Sequence, residues 1–141
     1  MIDLLIEKLR QLHLKAFAQN LQPTIEIAKN KNWSALQILD HLSELELELK
    51  HQNRVSLCFK QSRLFEKTTI DQFDFNFHTS RKNQKTLISS LLSLDFINHK
   101  KDIIFIGNPG VGKTFLSKCI AYATTQTAKK VLFTTAMDMI N

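Results

Sequence analysis

All three glycines of this 141-residue chain, and one of its two prolines, fall inside a single octapeptide, Gly107-Asn108-Pro109-Gly110-Val111-Gly112-Lys113-Thr114. A chain that uses no glycine before position 107 and then three within six positions is solving a local backbone problem. The spacing G-x-x-x-x-G-K-T is that of the Walker A phosphate-binding loop. Its flanks agree with that reading. Ile103-Ile104-Phe105-Ile106 is an unbroken apolar run, as a buried parallel strand needs. Residues 115–127 place Leu116, Ile120 and Ala123 at helical spacing. At average residue usage the four fixed positions arise by chance in roughly one chain of this length in a few hundred.

The chemistry of such a loop follows from its backbone. Glycine reaches positive φ and lets the main chain approach a ligand with no Cβ in the way. Successive N–H groups then form a nest for a β-phosphate, at a helix N-terminus whose dipole favours an anion. Gly107, Asn108, Pro109, Gly110, Val111, Gly112, Lys113 and Thr114 are therefore the expected nucleotide-binding residues. Lys113 would reach the β- and γ-phosphates, and the Thr114 hydroxyl would complete a Mg²⁺ shell. ATP and Mg²⁺ are the expected cofactors.

Composition excludes several other classes. Apolar residues make up 43% of the chain and charged residues 23%, values of a globular protein rather than a disordered one. The net charge of +6 divides into +2 over residues 1–68 and +4 over 69–141. That bias suits a phosphate-rich ligand or DNA without requiring either. Cys58 and Cys119 stand alone and read as buried thiols in a reducing cytosol, and no histidine pair has a metal-ligand spacing. Asp3, Glu7, Lys8 and Arg10 interrupt the apolar N-terminus, which is neither signal peptide nor membrane span. The expected location is cytoplasmic.

Residues 2–21 read as an amphipathic helix with Leu5, Leu9, Leu12 and Ala16 as its apolar stripe. Pro23 is expected to end it, and Thr24 to cap a short second helix. Ser34 and Gln37 form a capping-box pattern ahead of a long third helix carrying Leu39, Leu42, Leu45 and Leu49. Its acidic residues come early and Lys50, Arg54, Lys60, Arg63 and Lys67 late, which complements the helix dipole. This basic tail is either a solvated helix end or a face for nucleic acid or an acidic partner. Over 68–81, Asp71, Phe73, Asp74, Phe75 and Phe77 alternate acid and aromatic, a segment whose phenylalanines pack against the following domain. A helix from Ser80 or Asn83 to about His99 follows, then the strand, loop and helix. Val131-Leu132-Phe133-Thr134-Thr135 reads as a second strand, and Ala136–Asn141 as the start of another helix.

Hydrolysis of ATP needs more than a phosphate loop. An acidic strand end, a polar sensor and an arginine finger complete such sites, and nothing after Lys113 supplies them. Asp138 falls in a helix start and is a poor substitute. The Asp71–Phe75 segment, a helix ending near Phe96-Ile97, the 103–114 strand and loop, and the Val131–Ala136 strand end together resemble the IstB-like ATPases. Those are AAA+ helpers of insertion-sequence transposases and are similar to DnaC-type helicase loaders. The resemblance implies an α/β fold: an N-terminal helical domain (1–68) followed by a partial, three-layer P-loop (AAA+) domain (69–141), truncated after the second strand. In the family's sheet order those two strands are not neighbours, so residues 103–106 would lack a lateral partner and the C-terminal part would be prone to instability or self-association. Ala128 stands where a helix-ending glycine would be usual.

The function expected on these grounds is ATP binding in a transposition-helper protein, without hydrolysis by this chain alone. The alternative is a helicase-loader-like module that binds protein or DNA while the loop is vestigial; a third is a nucleic-acid adapter using Lys50–Lys67. Expected partners are ATP, DNA on the basic faces, a transposase or helicase, and a second copy of the chain.

Overall fold

The computed structural model describes residues 1–140, and within them all regular structure is helical. Eight α-helices occur in the order α1 (Ile2–Gln11), α2 (Lys15–Lys31), α3 (Ala35–Gln61), α4 (Thr79–Asn83), α5 (Lys85–Leu91), α6 (Asp95–Asn98), α7 (Lys113–Gln126) and α8 (Ala136–Ile140), with a 3₁₀ turn at Ile70–Gln72. The chain divides into two compact units, Met1–Arg54 and Val55–Asn141.

The first unit is built on an apolar face of each helix. Ile2, Ile6 and Leu9 recur at helical spacing on α1, and with Ala18, Leu21 and Leu42 they make one core cluster, flanked by Leu14, Phe17, Ile25 and Ile38. Burying a leucine such as Leu42, which is fully enclosed, contributes about 1.5–3 kcal/mol. The single helix expected over 2–21 is in fact two. His13 adopts φ 58°, a left-handed conformation that ends α1, and Leu5 and Leu12 of the expected stripe are exposed. Pro23 ends nothing: it lies inside α2, and Thr24 is buried there instead of capping a helix. The backbone bond lost at a proline costs roughly 3 kcal/mol, and the buried face of Ala16, Ala18, Leu21, Thr24 and Ala28 offsets it. The capping box at α3 is present: the Ser34 amide donates to Gln37 Oε1 at 2.8 Å and the Gln37 amide to Ser34 Oγ at 3.3 Å.

α2 starts without a side-chain cap of its own. Its third amide, Phe17 N–H, donates instead to the Glu46 carboxylate of α3 at 3.0 Å, and Glu46 is almost wholly buried. A negative group at a helix N-terminus satisfies an orphan donor and meets the positive end of the dipole. Lys50 lies 3.8 Å from the same carboxylate.

The second unit centres on Phe73, Ile88 and Leu116, with Ile70, Phe75, Phe105 and Phe115 packed around them. Of the phenylalanines expected to pack, Phe73 is buried and Phe75 half-buried in this cluster, whereas Phe77 is exposed. The helix expected through His99 is broken three ways: Leu94 is buried at φ 62°, and this kink separates α5 from α6. Burial pushes the Cys119 thiol up from 9.0 to about 11, against a smaller lowering by a backbone hydrogen bond.

The α/β expectation is overturned. Among the described residues there is no strand and no sheet, so neither 103–106 nor 131–135 is a strand, and no three-layer α/β domain exists. A strand is held by bonds to a lateral neighbour, and an apolar sequence alone does not supply one. The two segments do not pair with each other; the backbone bond of the second is Phe133 N–H to the Ser62 carbonyl at 2.8 Å. Ile103 and Phe105 are half-buried while Ile104 and Ile106 are 81% and 91% exposed, so one face is packed and the other bare.

Two stability outcomes follow. Glu46→Ala leaves the Phe17 amide without its acceptor and should lower the unfolding free energy by about 2 kcal/mol in urea titrations followed by helical circular dichroism. Ala128 adopts φ 57° after α7, so Ala128→Gly should raise stability by about 0.5–1 kcal/mol in the same assay.

Candidate functional site

The glycine-rich loop leads into α7, and its backbone explains the residue choice. Gly110 has φ 82° and Gly112 φ 101°, both in the region that L side chains rarely occupy. Gly112 is also crowded. A Cβ there would come within 2.6 Å of Phe73 Cε2 and 3.2 Å of an Arg81 guanidinium nitrogen. Gly110 faces open space, and a Cβ on Gly107 would meet only the Val111 side chain, at 3.3 Å.

α7 begins at Lys113 with Gly112 as its cap residue and no side-chain cap bond. The first backbone bond of the helix is Leu116 N–H to the Gly112 carbonyl at 3.0 Å. The amides ahead of it have no intrahelical acceptor and carry the positive end of the dipole. Asn108, Pro109, Gly110 and Thr114 are exposed, and Val111 and Lys113 half-exposed. Lys113 Nζ donates to the carbonyls of Gly107 and Asn108, each at 2.8 Å, so the lysine folds back over the start of its own loop. All eight residues singled out in the sequence thus lie on one surface segment, with a cation and free amides at a helix head. That arrangement can receive an oxyanion.

Arg81 escaped the reading of the sequence. It lies 30 positions before Val111, whose carbonyl accepts its Nε–H at 2.9 Å. A second nitrogen donates to the Asp74 carbonyl at 3.0 Å, and a third makes a long contact with the Gly110 carbonyl at 3.5 Å. The guanidinium carbon sits 4.4 Å from the Phe73 ring centre and 4.9 Å from that of Phe77. Phe73 in turn stacks on Phe115 of α7 at 5.8 Å and meets Phe75 edge-on at 4.9 Å. The available signal was an arginine following a run of phenylalanines, which spacing does not link to a loop so far along the chain.

Asp138 is the one acidic residue after Lys113. It accepts the Thr135 hydroxyl at 2.7 Å while its amide donates back to the same oxygen at 3.2 Å, a capping arrangement at the start of α8. No group of three or more histidines, cysteines or carboxylates able to hold a metal ion occurs among the described residues. No helix among the described residues is long and apolar enough to cross a membrane.

The sequence matches the model of the IstB-like ATP binding protein family over residues 7–141. Similar proteins include a Geobacillus stearothermophilus protein named as an ATP-binding protein of insertion sequence IS5376, 35% identical over 96% of this chain and 53% of its own length. A protein named likewise for IS232 in Bacillus thuringiensis subsp. berliner is 29% identical over 96% of this chain and 54% of its own. One named for IS21 in Pseudomonas aeruginosa is 28% identical over 94% and 48%. The chain therefore belongs to the IstB-like ATP-binding family, and it spans about half the length of the curated relatives it matches.

The geometry ranks the loop glycines. Gly112→Ala should disrupt the unit around Phe73, giving a lower and broader thermal transition, whereas Gly107→Ala should leave the melting curve near that of the parent. Differential scanning calorimetry of the two variants checks the order.

Proposed function

We propose that this member of the IstB-like family binds ATP through Gly107–Thr114 and serves an insertion sequence as a nucleotide-controlled helper. The observation that carries the reading is the uncapped head of α7, reached through Gly110 and Gly112 at positive φ, with the Lys113 ammonium on the loop's own carbonyls. An incoming phosphate would draw Lys113 away from Gly107 and Asn108 and take the free amides in their place. The Thr114 hydroxyl, exposed in the first turn of α7, fits one position in a Mg²⁺ shell whose other ligands the nucleotide's phosphates and water would supply. The magnesium ion would neutralise phosphate charge there.

Binding without hydrolysis is the proposed behaviour of a polypeptide of these 141 residues. Asp138, the one carboxylate after Lys113, is engaged in capping α8. The names of the relatives support a setting in transposition, and the proposed macromolecular partners are DNA, a transposase and further copies of the chain. The proposed working division remains a helical portion, 1–68, ahead of a nucleotide-binding portion, 69–141.

Titration of the purified chain with a fluorescent ATP analogue and Mg²⁺ tests the reading. Saturable binding is expected, weakened at least about tenfold in Lys113→Ala through loss of a charge-assisted contact. Equal weak binding by both proteins would sink it.

A further inference from the structure

We propose that Arg81 is a positioning residue for nucleotide binding, a latch that aims the loop amides at the phosphates and links their occupancy to the aromatic segment 73–81. The inference rests on the nucleotide-binding reading above and goes beyond it, because Arg81 lies outside the glycine-rich motif.

In a trans peptide the carbonyl of one residue and the N–H of the next point in opposite directions, and no peptide bond in the described chain is cis. Arg81 Nε holds the Val111 carbonyl at 2.9 Å and therefore turns the Gly112 N–H away from the guanidinium. The longer contact with Gly110, at 3.5 Å, biases the Val111 N–H the same way. Glycines at positive φ are permissive, so the loop's own sequence does not select this orientation over others. The arginine does. Lys113 meanwhile holds the carbonyls of Gly107 and Asn108. Two cations thus tie down the carbonyls at the two ends of the loop, but only Lys113 is placed to exchange them for a phosphate. Arg81 is committed on its other sides, with a donor on the Asp74 carbonyl and its guanidinium over the Phe73 and Phe77 rings.

This arrangement couples two segments. Any shift of Val111 on phosphate binding is felt by Arg81, and through it by Asp74 and Phe77. Phe77 is exposed and so free to respond. A lysine could not reproduce the coupling, because one ammonium lacks the planar fork that reaches three carbonyls while lying over two rings.

The test compares the 141-residue chain with Arg81→Met, Arg81→Lys and Lys113→Ala, titrated with ADP and with a non-hydrolysable ATP analogue in Mg²⁺. Amide hydrogen exchange is followed with and without nucleotide. Both Arg81 variants are expected to bind ADP and the ATP analogue about tenfold more weakly, by the same factor for each, because the amides serve the phosphate common to both. In the parent, nucleotide should slow exchange over 73–81 in step with 107–114. Parent-like affinity in Arg81→Met, a loss confined to the ATP analogue, or unchanged exchange over 73–81 would each overturn the latch while leaving the loop as the site. Failure of the parent to bind any nucleotide would overturn the underlying function and the latch together. If Arg81→Met does not fold, the exchange measurement on the parent decides alone.

Discussion

The packing of Phe73 and Arg81 against Gly112 is the contact on which the second unit depends. Phe73 fills the space a Cβ at Gly112 would need, stacks on Phe115 of α7, and carries the Arg81 guanidinium on its face. One ring therefore packs against both the loop and the arginine. A loop of glycines has little rigidity of its own. Here it is held by neighbours that come from residues 73–81, well outside the loop, and their fit leaves Gly112 no freedom to become anything larger.

The apolar runs 103–106 and 131–135 belong to the same account. Each is hydrophobic enough to be a strand, yet a strand exists only through bonds to a neighbour. Ile103 and Phe105 find packing while Ile104 and Ile106 stay bare, so the hydrophobic pattern is used on one side and idle on the other. The helices around them are less demanding, since their backbone bonds close within the segment. That difference explains why the α/β expectation failed while α7 formed where the spacing of Leu116 and Ile120 placed it.

In the first unit the corresponding role falls to a polar group. Glu46 is buried and supplies an acceptor to the head of α2. A buried carboxylate is costly unless it is hydrogen-bonded and meets positive charge, and the Phe17 amide, the helix dipole and Lys50 provide both. The same compensation by context lets α2 continue through Pro23.

The sequence by itself determined the glycine-rich turn into α7. Gly110, Gly112 and Lys113 are local demands of a tight turn into a helix, and such demands act over a few residues, so they are legible in order along the chain. The capping box at Ser34 and Gln37, the packing of Phe73 and Phe75 and the left-handed position at Ala128 were legible for the same reason. Tertiary structure alone decided the rest: the helix break at His13, the buried Pro23 and Glu46, the kink at Leu94, the absence of pairing at 103–106, and the reach of Arg81 to Val111. Each depends on which distant residue supplies the missing hydrogen bond or fills the adjacent space, and no periodicity in a single chain encodes that partner.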